Sequence, residues 1–248
     1  MNESKLVDSM LDLGEILLTS GAEVNRIEDT LMRVGEAYGF LRVDVLTITA
    51  SILLTVHAPS GAIITQTRRI RKMEINMEKV SQANALSRYI CTHKPELEYV
   101  QQQLQQIREI SHYSETVMLL AYICVAASFT VFFGGGILDA FISGCSAVIV
   151  RILIRIGNRI KMNPIFQNMM CSAAAGLIVV ALHKTGFSID ADSIVIGNVM
   201  LLIPGLALTS SLRDIIGGDM ITGLLVMTEA ILKAVAIAIG FTVLLIGG

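Results

Sequence analysis

The chain has 248 residues, of which 53% are hydrophobic and only 16% charged, with a formal net charge of -2 and a mean hydropathy of +0.66. An ordinary soluble domain carries about a quarter charged residues, so that class is excluded, along with disordered, collagen-like and coiled-coil chains. The near-neutral balance gives no reason to expect nucleic acid. The charge is unevenly placed: residues 1–113 hold 12 of the 19 Lys+Arg and 14 of the 21 Asp+Glu. The first part reads as water-soluble and the remainder as membrane. Met1–Asp12 is polar and acidic without an apolar core, so no signal peptide is expected. Cys91, Cys124, Cys145 and Cys171 form no CxxC pair, which argues against a disulfide framework or zinc site.

In chain order, Leu6, Met10, Leu13 and Leu17 repeat at helical spacing, as do Val24, Ile27, Leu31, Val34 and Tyr38. Ser20 with Glu23 three residues later fits a capping box that opens the second helix, and Gly39 marks its end. Period two follows. Leu46, Ile48, Ala50, Ile52, Leu54 and Val56 alternate with Thr47, Thr49, Ser51 and Thr55, which predicts one long half-buried strand. Pro59-Ser60-Gly61 is a turn, and Ala62–Thr67 a second strand. The basic run Arg68, Arg69, Arg71 and Lys72 is a solvated strand end or a contact for anionic lipid. Val80, Ala83, Leu86 and Ile90 give a third helix, and Leu97, Val100, Leu104 and Ile107 a fourth that starts near Pro95. The expected plan is mainly α: a cytosolic α-α-β-β-α-α domain over 1–112, then a five-helix transmembrane bundle over 113–248.

The five spans fall at about 116–136, 137–154, 164–182, 193–212 and 220–246, each long and apolar enough to cross. Arg155, Arg159 and Lys161 follow span two and Arg213 follows span four, whereas the loop after span three carries Lys184 alone. The positive-inside bias puts the N-terminus in the cytosol and the C-terminus outside.

Motifs for nucleophilic, metal-dependent and phosphate-binding enzymes are absent. His57, His93, His112 and His183 lack ligand spacing, so no metal, no cofactor and no enzymatic activity are expected. Glu229 and Lys233 sit four apart in the last span, on one helix face. An ionisable group within hydrocarbon costs at least ~2.5 kcal/mol and marks either a structural pair or a functional site. Here Glu229 is the candidate proton carrier. Pro204-Gly205 kinks or breaks span four, and broken helices present free backbone groups to solutes. Asn198, Thr209 and Ser210 add hydrogen-bonding groups beside it. Arg213, Asp214 and Asp219, around Gly217-Gly218, read as a solvated loop or an ion-paired cytosolic gate. In the soluble part, Ser20, Gly21, Glu23, Arg26 and Glu28 read as a capped, solvated helix start or as a second site.

Two of these stretches carry a family resemblance. Leu17–Glu28, with its Ser20-Gly21-Ala22-Glu23-Val24-Asn25-Arg26 core, resembles the opening signature of the threonine/serine exporter family of bacterial membrane proteins. Leu202–Asp219, followed by Glu229-Ala230, is similar to a later signature of that family. The resemblance implies proton-driven export of small polar metabolites across the cytoplasmic membrane. Full-length members have about ten spans in two halves, and this chain resembles a half-size, first-half subunit. The implied partner is a small membrane protein resembling the second half, and the implied solute is a threonine- or serine-type amino acid or a dicarboxylate such as succinate. The resemblance supplies no established site residues. The rival reading is a membrane-anchored regulatory or scaffold protein whose cytosolic domain carries the function.

Overall fold

The computed structural model describes residues 3–48, 50–71, 73–111, 113–185 and 188–247, the last five of these without their side chains. Thr49, Lys72 and His112, named above, and residues 186–187 of the loop after span three lie outside them. The chain divides into two units, residues 1–112 with 209–226, and 113–208 with 227–248.

The first unit is built around α1 (Glu3–Thr19), whose Leu6, Val7, Met10, Leu11, Leu13, Leu17 and Leu18 are all buried. A helix apolar on most of its circumference must be wrapped by other elements, and α1 contacts α2 (Val24–Ala37), α3 (Met77–His93), α4 (Leu97–Glu109) and the sheet. Two of its half-buried acids are paired. Asp12 and Glu15 pair with Arg68 of the sheet and Arg108 of α4 at 2.7–3.3 Å. Arg68 thus has a packing role, while Arg69 and Arg71 are exposed.

Two expectations are corrected here. The long strand is a hairpin: β1 (Arg42–Ile48) and β2 (Ser51–His57) pair antiparallel, and β3 (Ile63–Arg69) completes a three-stranded sheet, order β1-β2-β3. The order of elements is therefore α-α-β-β-β-α-α. No Gly, Pro, Asn or Asp lies between Ile48 and Ser51 to announce the turn. The two-residue connection also inverts parity. Val43, Val45 and Thr47 stand opposite Val56, Leu54 and Ile52 on the covered face, and Leu46 points to solvent. Alternation continues unbroken through such a turn, so it reads as one strand.

The second correction concerns Ser20–Glu23. Glu23 is the residue before α2 and makes no side-chain cap. Ser20-Gly21 instead terminates α1: Gly21 N–H donates to Leu18 O at 3.2 Å and Ala22 N–H to Leu17 O at 3.0 Å. That is a Schellman turn, with Gly21 at φ +92° where a side chain is strained. Gly21→Ala is expected to destabilise this unit by about 1–2 kcal/mol, measurable as a lowered thermal midpoint of the full chain in detergent.

The second unit contains α5 (Glu115–Phe132), α6 (Ile137–Arg159), α7 (Pro164–Lys184) and α8 (Ala191–Leu202). α9 (Gly205–Gly217) and α10 (Met220–Gly247) each begin in one unit and end in the other. Among the described residues four helices, α5, α6, α7 and α10, are long and apolar enough to cross a membrane, and α8 with α9 makes a fifth span if the bent pair counts as one. The bend is 56° at Ile203-Pro204, because Pro204 has no N–H for the Met200 carbonyl. Arg213 and Asp214, expected in a loop, lie within α9, which runs five residues beyond the predicted end of the span. Small residues let the helices approach closely. A Cβ on Gly197 would overlap Thr130 of α5, and one on Gly240 would overlap Ser172 of α7. Arg151 of α6 pairs with Glu115 at 3.0 Å and lies over the Tyr122 ring.

Candidate functional site

Within the first unit, the N-terminus of α2 meets the C-terminal part of α9, nearly 200 residues away in sequence. The first four N–H groups of a helix lack intrahelical partners and its last carbonyls lack donors. Here each helix supplies what the other lacks. Val24 N–H, at the start of α2, donates to Asp214 Oδ1 at 3.4 Å. Asn25 Nδ2 donates to the carbonyl of Gly217, the last residue of α9, at 3.1 Å. Arg213 completes the contact with a charge-assisted bond to Glu23, and Arg26 lies 3.7 Å from the same carboxylate. A Cβ on Gly217 would overlap Asn25 Nδ2, so a side chain there would displace the Asn25 amide from this bond. The macrodipoles add to the fit: Asp214 faces the positive end of α2.

Glu28, one turn further along α2, accepts from Thr47 N–H at 2.7 Å. Burial raises its pKa, and the nearby Asp219 charge adds to the shift. Asp219 follows α9, and its N–H donates to Asp214 O at 2.9 Å. Among the described residues no three His, Cys, Asp or Glu side chains are placed to hold a metal ion. The carboxylates act as hydrogen-bond acceptors and countercharges.

The Glu28 shift has a measurable sign. A raised carboxylate pKa contributes stability that is complete below the unfolded value, near 4.5, and lost as pH rises through the folded value. Glu28→Gln keeps an acceptor for Thr47 N–H and removes the charge. The thermal midpoint of the variant is expected to gain on the parent chain as pH rises above 4.5. A difference independent of pH between 4 and 7 contradicts this.

The remaining candidates lie elsewhere. Glu229 and Lys233 pair at 2.7 Å on α10, with side chains 60% and 24% exposed, so the pair lies on the surface of its unit. Asn198 is fully buried on α8. It donates to Ile194 O at 2.9 Å and to Ser143 Oγ of α6 at 3.3 Å, and its Oδ1 has no partner among the described residues. No hydrogen bond or ion pair joins Asn198 to Glu229 or Lys233 among those residues. Pro204 and Gly205 form the break, where Gly205 N–H donates to Ile203 O at 2.8 Å. Thr209, exposed, and Ser210, half-buried, lie past the break, in the part of α9 assigned to the first unit. The expected pathway group is thus divided between two units, whereas the cytosolic motif and the gate residues meet.

Sequence reasoning did not find the roles of Asn25 and Gly217, or of Ser143 beside Asn198. Polarity at a helix end was the available signal for Asn25, but its partner is a backbone carbonyl 192 residues on.

The two stretches that interlock are the two that carry the family resemblance, and a family model described as "Putative threonine/serine exporter" matches residues 8–246. The chain belongs to the threonine/serine exporter family. It is similar to a "Probable threonine/serine exporter" of Mycobacterium tuberculosis, 23% identical over all of this chain and 47% of the relative. A "Threonine/serine exporter" of Corynebacterium glutamicum is 23% identical over 85% of this chain and 44% of its own length. A "Probable succinate transporter subunit YjjP" of Escherichia coli is 25% identical over 93% and 90% respectively. The chain spans about half the length of the first two relatives. No solved structure matches. Membership, together with four or five helices able to span a bilayer, makes this a multi-pass membrane protein of a transporter family rather than an enzyme family.

Proposed function

We propose that the chain is a subunit of a proton-coupled secondary exporter of small polar metabolites in the bacterial cytoplasmic membrane, with the N-terminus inside and the C-terminus outside. The observation that carries this reading is the interlock of α2 with α9, the second arm of the broken span. A helix that begins beside the Pro204 break and ends in the lock can pass movement between a cytosolic unit and a membrane path. Making and breaking the lock is the cytosolic gate, through Arg213, Asp214 and Asp219 on one side and Glu23 on the other. The broken span, with Asn198, Pro204, Gly205, Thr209 and Ser210, lines the path. Glu229 carries the proton, and Lys233 balances it or meets a solute carboxylate.

The exposed Glu229–Lys233 pair supports a partner subunit. Charged side chains inside a bilayer face a bundle interior or a water-filled cavity, and this pair is on the surface of its own unit. A second-half protein of the same family would cover it and complete an inverted repeat. The solute is a threonine- or serine-type amino acid or a dicarboxylate such as succinate, and relatives of this chain carry both names. The scaffold reading is weaker, since an anchor has no use for a broken span and an intramembrane ion pair.

The test is efflux from cells preloaded with threonine or with succinate, expressing the chain with and without the second-half protein. Efflux of one solute only when both proteins are present supports the reading. No efflux of either, with both proteins in the membrane, overturns it.

A further inference from the structure

We propose that the cytosolic unit carries a second solute site, a cleft that binds a free zwitterionic amino acid and reports its cytosolic concentration to the α2–α9 lock. The cleft has a volume of about 300 Å³ and is lined by Glu15, Thr19, Ser20, Asn76, Lys79 and Arg108, a size that suits a small metabolite. Its walls are the end of α1, the start of α3 and the end of α4, and it lies wholly in the first unit.

Charge of both signs lines this cleft, and part of each group's bonding capacity is unspent. Among the described residues Lys79 Nζ makes one hydrogen bond, to Arg108 O at 2.9 Å, and an ammonium has three donors. The ion pairs of Arg108 both use Nη2, which leaves the Nε–H and Nη1–H donors uncommitted among the described residues. Glu15 receives Arg68 and Arg108 on Oε2 alone, which leaves Oε1 as an acceptor. A carboxylate meets Lys79 and Arg108, and an ammonium meets Glu15 Oε1. Charge-assisted bonds of this kind are about twice as strong as neutral ones. The same lining disfavours a dicarboxylate, whose second carboxylate would face Glu15.

The cleft is continuous with the lock through the chain itself. Thr19 O accepts from Glu74 N–H at 2.8 Å and Ser20 O from Asn76 N–H at 3.0 Å, which pins the end of α1 to the lead-in of α3. Gly21 and Ala22 follow, and Glu23 then holds Arg213. A ligand that draws Lys79 and Glu15 together moves the segment from which the lock is built. This regulatory meaning rests on the exporter reading, whereas the binding itself does not.

The test is calorimetric titration of the full chain in lipid nanodiscs with L-threonine, with 3-hydroxybutyrate (which lacks the ammonium) and with succinate. L-threonine is expected to bind, and the other two at least about tenfold more weakly. Lys79→Gln and Glu15→Gln are each expected to weaken L-threonine about tenfold or more, with melting profiles showing that the variants fold. Arg42→Gln, exposed on β1 and outside both the cleft and the proposed path, leaves this binding unchanged. Equal binding of succinate, or unaltered binding in both cleft variants, overturns the proposal. Absence of binding to the parent chain also overturns it, and efflux from cells expressing the chain with the second-half protein then shows whether the exporter reading stands.

Discussion

Reversing the charge of Arg213 to glutamate is expected to reduce efflux about tenfold or more, and the double exchange Glu23→Arg with Arg213→Glu to restore most of it. The single change places a third carboxylate beside Asp214 and Asp219 and opposite Glu23, so like charges meet where a charge-assisted bond stood. The effect on stability is expected to be small. Arg213 is 69% exposed, and exposed ion pairs contribute about 0–1 kcal/mol. The effect on transport is larger because the lock biases a two-state gate, and a bias of about 1.4 kcal/mol is tenfold in that equilibrium. Rescue by the exchanged pair separates loss of the specific contact from loss of fold. Efflux by Arg213→Glu at the parent rate contradicts the gate.

The second large effect concerns α10. Glu229→Gln is expected to abolish proton-coupled efflux by the protein that reaches the membrane. Lys233→Met leaves Glu229 without its partner at 2.7 Å, and an unpaired ionised carboxylate in hydrocarbon is costly. Glu229→Gln leaves the Lys233 ammonium unpaired in the same way, so both single variants are expected to insert less well than the parent, and coupling is scored on the inserted fraction. The double variant Glu229→Gln with Lys233→Met removes both charges, and is expected to insert normally and still fail to couple. Membrane fractionation with efflux under an imposed pH gradient reads both quantities. Coupled efflux by Glu229→Gln excludes the carrier role.

Periodicity made the helices of both units legible, since an apolar stripe at three- and four-residue spacing has few other causes. The break at Pro204 was legible for a local reason, the missing N–H. The hairpin was not, because residues 49–50 carry no turn chemistry and alternation continues through the connection. Ser20–Glu23 misled because Ser-x-x-Glu describes a helix start and Gly21 equally well serves a helix stop. The structure showed the stop, and Glu23 turned to Arg213 instead. The ion-pair network of Asp12, Glu15, Arg68 and Arg108 joins residues 53 to 96 apart. The cap of α2 by Asp214 spans 190 residues. Pairings of that separation leave no periodic trace. What the sequence did carry was the family resemblance of both partners of the lock, Leu17–Glu28 and Leu202–Asp219.

The most direct measurement is efflux from a chain with Cys at positions 25 and 217, where a Cβ on Gly217 would stand 3.6 Å from Asn25 Cγ, close enough for a disulfide, and Ser in place of Cys91, Cys124, Cys145 and Cys171, before and after oxidation. If the lock is a gate that must open in each cycle, the disulfide stops efflux and reduction restores it. Undiminished efflux with the cross-link shown to be complete contradicts the account.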